Sequence, residues 1–210
     1  YPERTNLKYK EYFIGSLDIE SIRKRKFKIV LDYSHGITST IFPNILGEFN
    51  CEVVSLSAHL DKDRITREEK EFKKSFDNFR YVVQSLNFDL GFMIDAGGEK
   101  LWLATHEGKV LNDYRFLVVT LKMFLMATPG VKKVAVPVQA SREVDIVANE
   151  YGTEVIRVKD SHYNMMTACN DKEVRFVGGT RRGVFFPDFI YATDGMFAIA
   201  KILEMQAKIK

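Results

Sequence analysis

Residues 48–54 read Glu-Phe-Asn-Cys-Glu-Val-Val, and residues 150–156 read Glu-Tyr-Gly-Thr-Glu-Val-Ile. The two stretches align without a gap. Each places an aromatic residue where a helix would end, then Asn50 or Gly152, then a strand beginning Glu-Val and a β-branched residue. Asn and Gly are the residues that best tolerate the left-handed turn closing a helix.

Working outward, each stretch sits inside the same pattern. Residues 27–32, Phe-Lys-Ile-Val-Leu-Asp, form an apolar run ending in Asp and read as a buried strand. A helix from Thr38 or Ser39 to about Phe49 follows, with Pro43 tolerated in its first turn. Residues 52–56 then make a second strand. After Thr128-Pro129-Gly130 the pattern restarts: strand 131–138, helix 141–151 capped by Ser141, strand 154–158. Strand, helix, strand is a βαβ unit. The repeat predicts an α/β fold with two consecutive domains. The sequence divides into a polar lead-in at 1–25, a first domain at 26–129 and a second at 130–210.

The remaining elements fit this plan. Residues 67–86 predict a helix with the apolar stripe Phe72, Phe76, Phe79, Val83; its many charges read as a solvated face. Residues 90–95 form another strand ending in Asp, and residues 101–104 return as its hairpin partner. A helix is expected over 112–126, a strand over 174–177, and a last helix opening at Asp194.

Composition narrows the function classes. The chain has 210 residues, 46% hydrophobic and 28% charged, with a net charge of +3. These are ordinary values for a folded protein, and they exclude a disordered tail or a disulfide-stapled miniprotein. Such balance gives no reason to expect a nucleic-acid or membrane partner. No apolar run approaches the roughly 20 residues needed to span a bilayer. Two cysteines, Cys51 and Cys169, suit a reducing compartment. A cytoplasmic location is the resulting expectation. The chain opens on Tyr1, which suggests excision from a longer protein.

Ligands of parallel α/β sheets bind at the carboxyl ends of the strands. Three loops qualify. Tyr-Ser-His-Gly at 33–36 contains His35, an acid/base candidate or a structural loop histidine. Asp-Ala-Gly-Gly-Glu-Lys at 95–100 offers the carboxylates Asp95 and Glu99 to a hard cation; a charged Gly-Gly hairpin turn is the other reading. Gly-Gly-Thr-Arg-Arg-Gly at 178–183 suits a small anion, held by backbone N–H groups and guanidinium forks, or is an exposed basic turn. No Gly-Lys-Ser/Thr phosphate loop, dinucleotide fingerprint or metal-type cysteine pattern is present.

Taken in order, these loops resemble the middle of the α-D-phosphohexomutase family, the phosphoglucomutases and phosphomannomutases. Asp-Tyr-Ser-His-Gly at 32–36 is similar to the strand and glycine turn opening that family's second domain. Residues 89–100 match its strand and metal loop, Asp-Gly-Asp-Gly-Asp-Arg. Residues 178–183 match its sugar loop, Gly-Glu-x-Ser-Gly, and Asp194-Gly195 matches the pair opening its last helix. The resemblance implies two phosphohexomutase-like α/β/α domains, the family's second and third, with mixed sheets. It implies interconversion of hexose 1- and 6-phosphates through a phosphoserine, with a hexose phosphate as partner. It also implies Mg2+ as cofactor at Asp95 and Glu99, and substrate contacts from Gly179, Thr180, Arg182 and Lys100.

The departures are specific. Gly97 stands where the family's second metal carboxylate falls, Glu99 replaces the third and Lys100 the Arg. Thr180 replaces the sugar loop's Glu, and Arg182 its Ser. The family's Thr-Ala-Ser-His-Asn-Pro nucleophile segment is not in these residues, so no catalytic residue is expected here and the chain alone is expected to be inactive. The degenerate metal loop is similar to a branch in which a mutase-like region follows a sugar-1-phosphate nucleotidyltransferase domain. A non-catalytic sugar-phosphate-binding module attached to such a domain is the alternative expectation.

Overall fold

The computed structural model describes residues 2–64 and 68–209. It divides into two compact units, Tyr1–Leu111 and Asn112–Lys210. In the first, strands β1 (Lys28–Asp32), β2 (Glu52–Leu56), β3 (Leu90–Ile94) and β4 (Leu101–Thr105) form a sheet in the order β2-β1-β3-β4. In the second, β5 (Lys133–Pro137), β6 (Glu154–Val158), β7 (Val174–Gly178) and β8 (Val184–Phe185) repeat that order as β6-β5-β7-β8. Three strands of each sheet run parallel and the last pairs antiparallel. The mixed sheets and the internal repeat are therefore as expected. Asn50 and Gly152 both adopt left-handed backbone, at φ 54° and 66°.

The division falls earlier than Thr128-Pro129-Gly130. Helix α5 (Asp113–Ala127) opens the second unit rather than closing the first. Its side chain Asn112 accepts from the Arg115 amide at 2.8 Å, capping the helix as residue type predicts. Phe116, Leu117, Leu121 and Phe124 of α5 are buried, and Phe124 packs on Phe176 of β7 at 5.4 Å between ring centroids. Proline and glycine at 129–130 mark only the exit from this helix.

Residues 1–25 are not a bare lead-in. They form α1 (Pro2–Gly15) and α2 (Ile19–Arg25). Phe13, Ile19 and Ile22 are buried, and Glu48 accepts ion pairs from Lys10 at 2.7 Å and Arg23 at 3.4 Å. So few apolar residues leave no periodic signal in so polar a stretch. The helix expected up to Phe49 is a short 3-10 turn, Ile37–Thr40, then α3 (Phe42–Leu46). Helix α4 (Glu69–Leu86) lays Phe79 and Val83 onto Val30, Met93 and Ala104 of the sheet, with Phe72 and Phe76 partly buried beside them. The expected start at Arg67 lies outside the described residues.

In the second unit, α6 (Glu143–Glu150) begins at a cap on Arg142, although the Ser141 hydroxyl still accepts from the Glu143 amide at 3.1 Å. Helix α7 (His162–Ala168), unforeseen in the sequence, covers Ala135 and Val177 with Met165 and Cys169. The last helix, α8 (Gly195–Lys208), is capped by Asp194, whose carboxylate accepts from the Phe197 amide at 2.9 Å. Among the described residues, no helix is long and apolar enough to cross a membrane.

Helix α8 buries one carboxylate, Glu204, 4% exposed and paired with Lys201 at 2.5 Å and Lys208 at 2.7 Å. Burial alone would raise its pKa; the two lysines outweigh that and hold it below the usual 4.5. A group depressed in the folded state stabilises above its unfolded pKa and loses that contribution as pH falls through the folded value. The Glu204→Gln variant should therefore be less stable than wild type at pH 7, by about 1–2 kcal/mol. That gap should close below the ordinary carboxylate range. Urea melts at pH 7 and in acid, each comparing the two proteins, check this.

Candidate functional site

Each sheet presents its strand ends to a set of loops, and the order of the strands defines where they part. The chain passes from β1 to β2 on one side and then to β3 on the other, so the loops after β1 and β3 lie side by side at the carboxyl edge, where ligands of such sheets bind. These are the loops at 33–36 and 95–100. In the second unit the equivalent loops follow β5 and β7.

In the first unit, the buried Asp32 carboxylate accepts from the Ser34 amide at 2.8 Å. This supports Ser34 and His35 in left-handed backbone, at φ 51° and 57°. The His35 amide donates to the Ser57 carbonyl at 3.1 Å, and the Ile37 amide to the Ala96 carbonyl at 3.4 Å. Gly36 is required here: a Cβ would lie 2.5 Å from both the Cα and the carbonyl oxygen of Ala96. The loops after β1 and β3 therefore pack backbone to backbone.

Asp95 is committed to its own turn. Its Oδ1 accepts from the amides of Glu99 at 2.7 Å and Lys100 at 2.8 Å. Glu99 and Lys100 point their charge outward as exposed residues. The loop thus holds one carboxylate already accepting two amides, one exposed carboxylate, and Gly97 between them. Mg2+ favours octahedral oxygen donors and takes one or two carboxylates when a phosphate completes the shell. With no phosphate to complete the shell, these two carboxylates do not fit a resident Mg2+.

In the second unit, the Gly179 amide donates to the Gly183 carbonyl at 2.8 Å and closes the loop after β7. Its arginines separate into different roles. Arg182, at φ 66°, turns inward; its side chain is 14% exposed, and its Nε pairs with Asp113 Oδ1 at 2.5 Å. Burial draws its guanidinium below the ordinary value while Asp113 opposes the shift. Arg175 pairs with Asp188 at 2.5 Å. Arg181 is exposed. Two of the three arginines are therefore tied to carboxylates, and the exposed charge at the loop tip belongs to Arg181, the other arginine of the expected anion loop.

Thr180 meets residues from the neighbouring strand ends. Its hydroxyl donates to Asp160 Oδ2 at 3.3 Å, and Gln139 Nε2 donates to the same oxygen at 3.0 Å. Asp160 follows β6, and Gln139 follows β5. Acceptors, donors and a cation from three loops thus gather at one carboxyl edge. Neither Asp160 nor Gln139 was singled out in the sequence. Their position just past a strand end was the available signal.

Because Asp113 is 54% exposed, solvent screens its pair with Arg182. Arg182→Met, which keeps the aliphatic stem, should cost about 1 kcal/mol of stability. Guanidinium denaturation of the two proteins measures it.

The fold defines a pair of α/β/α domains with polar loops at the carboxyl ends of their strands. The chain belongs to the phosphoglucomutase/phosphomannomutase family. Residues 8–108 match that family's α/β/α domain II, and residues 112–210 match its domain III. The first match takes in most of α1 and all of α2, and the junction between matches coincides with the division of the two units. A phosphoglucomutase/phosphomannomutase of Thermococcus kodakarensis is 28% identical over 200 residues, covering 95% of this chain and 44% of that protein. A probable phosphoglucosamine mutase of Methanopyrus kandleri is 30% identical over 190 residues, covering 90% of this chain and 42% of its own length. The chain thus spans less than half the length of these relatives. The solved structure of a phosphoglucomutase/phosphomannomutase family protein from Burkholderia thailandensis shares the fold at TM-score 0.82 and 21% identity, over 97% of this chain and 44% of that one. A phosphomannomutase-like structure from Thermus thermophilus does so at TM-score 0.86 and 14% identity, over 97% and 47%.

Proposed function

We propose that this chain supplies the sugar-phosphate-handling domains of a mutase that interconverts hexose 1- and 6-phosphates. The observation carrying this reading is the pairing of two consecutive family domains with polar loops at the carboxyl edge of each sheet. Thr180 and Asp160 offer a hydroxyl and a carboxylate, groups that suit sugar hydroxyls, and Gly179 closes the loop that carries Thr180. Arg181 and Lys100 offer exposed cations to phosphate oxygens, each on its own unit. Arg182 takes a positioning role: its bond to Asp113 holds the loop that carries Thr180 and Arg181.

Phosphoryl transfer depends on positioning and on cations that meet the transferring charge. This chain contributes the positioning. It contains no Thr-Ala-Ser-His-Asn-Pro segment to carry a phosphoryl group, so by itself it should bind a hexose phosphate without turning it over.

The commitment of Asp95 to its own turn favours a second reading. There the domains form a non-catalytic sugar-phosphate-binding module, as in chains where a mutase-like region follows a sugar-1-phosphate nucleotidyltransferase. Both readings require binding. Titration calorimetry with mannose 6-phosphate and glucose 6-phosphate should show saturable uptake of at least one, weakened roughly tenfold by Arg181→Ala, as for loss of a charged hydrogen bond. Absence of binding to either would sink both readings. Mutase turnover by the longer polypeptide carrying these domains separates the first from the second.

A further inference from the structure

The loops after β1 and β2 bring together three residues that the proposed sugar-phosphate chemistry does not use. His35, His59 and Asp61 each place one ligand atom within 4.8 Å of the other two, and they are a group with this property among the described residues. The His35 and His59 rings meet edge to face at 4.5 Å between centroids. His59 Nε2 lies 4.0 Å from Asp61 Oδ2.

We propose that His35, His59 and Asp61 bind a divalent transition cation of the zinc class, at a site distinct from the loop of Asp95 and Glu99. The donor chemistry selects the metal. Two imidazoles and one carboxylate suit Zn2+ and its neighbours, whereas Mg2+ and Ca2+ favour all-oxygen shells. Three protein ligands leave a fourth tetrahedral position for water or an anionic oxygen. His35 also lines a cleft of about 360 Å³ with Arg64, Lys74, Ser75 and Asn78 among its walls, so a small ligand has room beside it.

The backbone prearranges the two loops. The His35 amide donates to the Ser57 carbonyl at 3.1 Å, and the Asp61 amide to the His35 carbonyl at 3.3 Å. His35 is buried, 7% exposed. The His59 side chain is 68% exposed and that of Asp61 28%, which leaves both able to turn. Tetrahedral ligands at about 2 Å from zinc stand about 3.3 Å apart, so the outer two need to close by at most about 1.5 Å. One group competes for Asp61: Arg64 Nε lies 3.4 Å from its Oδ2. Oδ1 meanwhile accepts from the Asp63 amide at 3.1 Å.

Zinc titration of the whole 210-residue chain by calorimetry, with Co2+ absorption as a second readout, tests the site. Wild type should bind one equivalent. His59→Ala removes an exposed ligand, Asp61→Asn removes the charge of a half-buried one, and His35→Asn keeps a residue tolerant of left-handed backbone; each should weaken binding roughly tenfold or more. Arg64→Gln, which removes the competitor, should bind at least as tightly as wild type. Glu99→Gln should change nothing. Wild-type affinity in both His59→Ala and Asp61→Asn would overturn the proposal, as would loss of binding in Glu99→Gln. None of these outcomes depends on whether a hexose phosphate binds.

Discussion

Gly36→Ala should destabilise the first unit by about 2–3 kcal/mol, the cost of forcing a methyl into packed backbone. The cause is geometric. The added Cβ would sit 2.5 Å from two backbone atoms of Ala96, where no side chain can rotate away. The loops after β1 and β3 would have to separate, and the bond from the Ile37 amide to the Ala96 carbonyl would lengthen or break. Because Gly36 has ordinary negative φ, the penalty comes from crowding and not from backbone strain. Two readouts apply. Urea denaturation should show the loss of stability, and amide exchange at Ile37 and Gly98 should rise above exchange in β1. A variant as stable as wild type would mean the two loops do not pack as described.

Phe124→Ala should have a larger effect, about 3–5 kcal/mol, because it opens a cavity in a rigid aromatic cluster. The Phe124 ring is 2% exposed and packs on Phe176 at 5.4 Å and Phe186 at 5.9 Å between centroids. Phe186 in turn meets Phe197 of α8 at 5.8 Å. One residue of α5 thus ties the helix to β7 and to α8. For a unit of this size, each kcal/mol lowers Tm by about 4–8 °C, so a fall of at least 12 °C is expected. The experiment also tests the boundary. If α5 belonged to the first unit, the loss would appear in the amides of β1 and β3. The structure places it in β5, β7 and α8.

The repeat was legible because a βαβ unit leaves two signals, apolar strands and a turn residue that tolerates left-handed backbone. Asn50 and Gly152 carried both and proved to adopt that conformation. The boundary was less legible, since Pro129 and Gly130 end a helix as readily as they end a domain. Helices α1 and α2 were hidden because docking rests on Phe13, Ile19, Ile22 and ion pairs to Glu48, too few apolar positions to show a period. The loops of the site were legible as strand ends. Their internal bonding was not. Whether an arginine faces solvent or a carboxylate depends on what the fold brings beside it, and Asp113 is 69 positions from Arg182 in the chain. The same holds for His35 and His59, which meet only because β1 and β2 lie side by side.

Both readings of the function require that a hexose phosphate engages the loops at the carboxyl edges of the sheets. Amide chemical-shift mapping of the isotopically labelled chain, titrated with a hexose 6-phosphate, addresses this directly. Saturable shifts are expected at Gln139, Asp160 and residues 179–183, with any further response confined to residues 33–36 and 95–100. Shifts centred on the opposite ends of the strands, or no saturable shifts at all, would contradict binding at these loops.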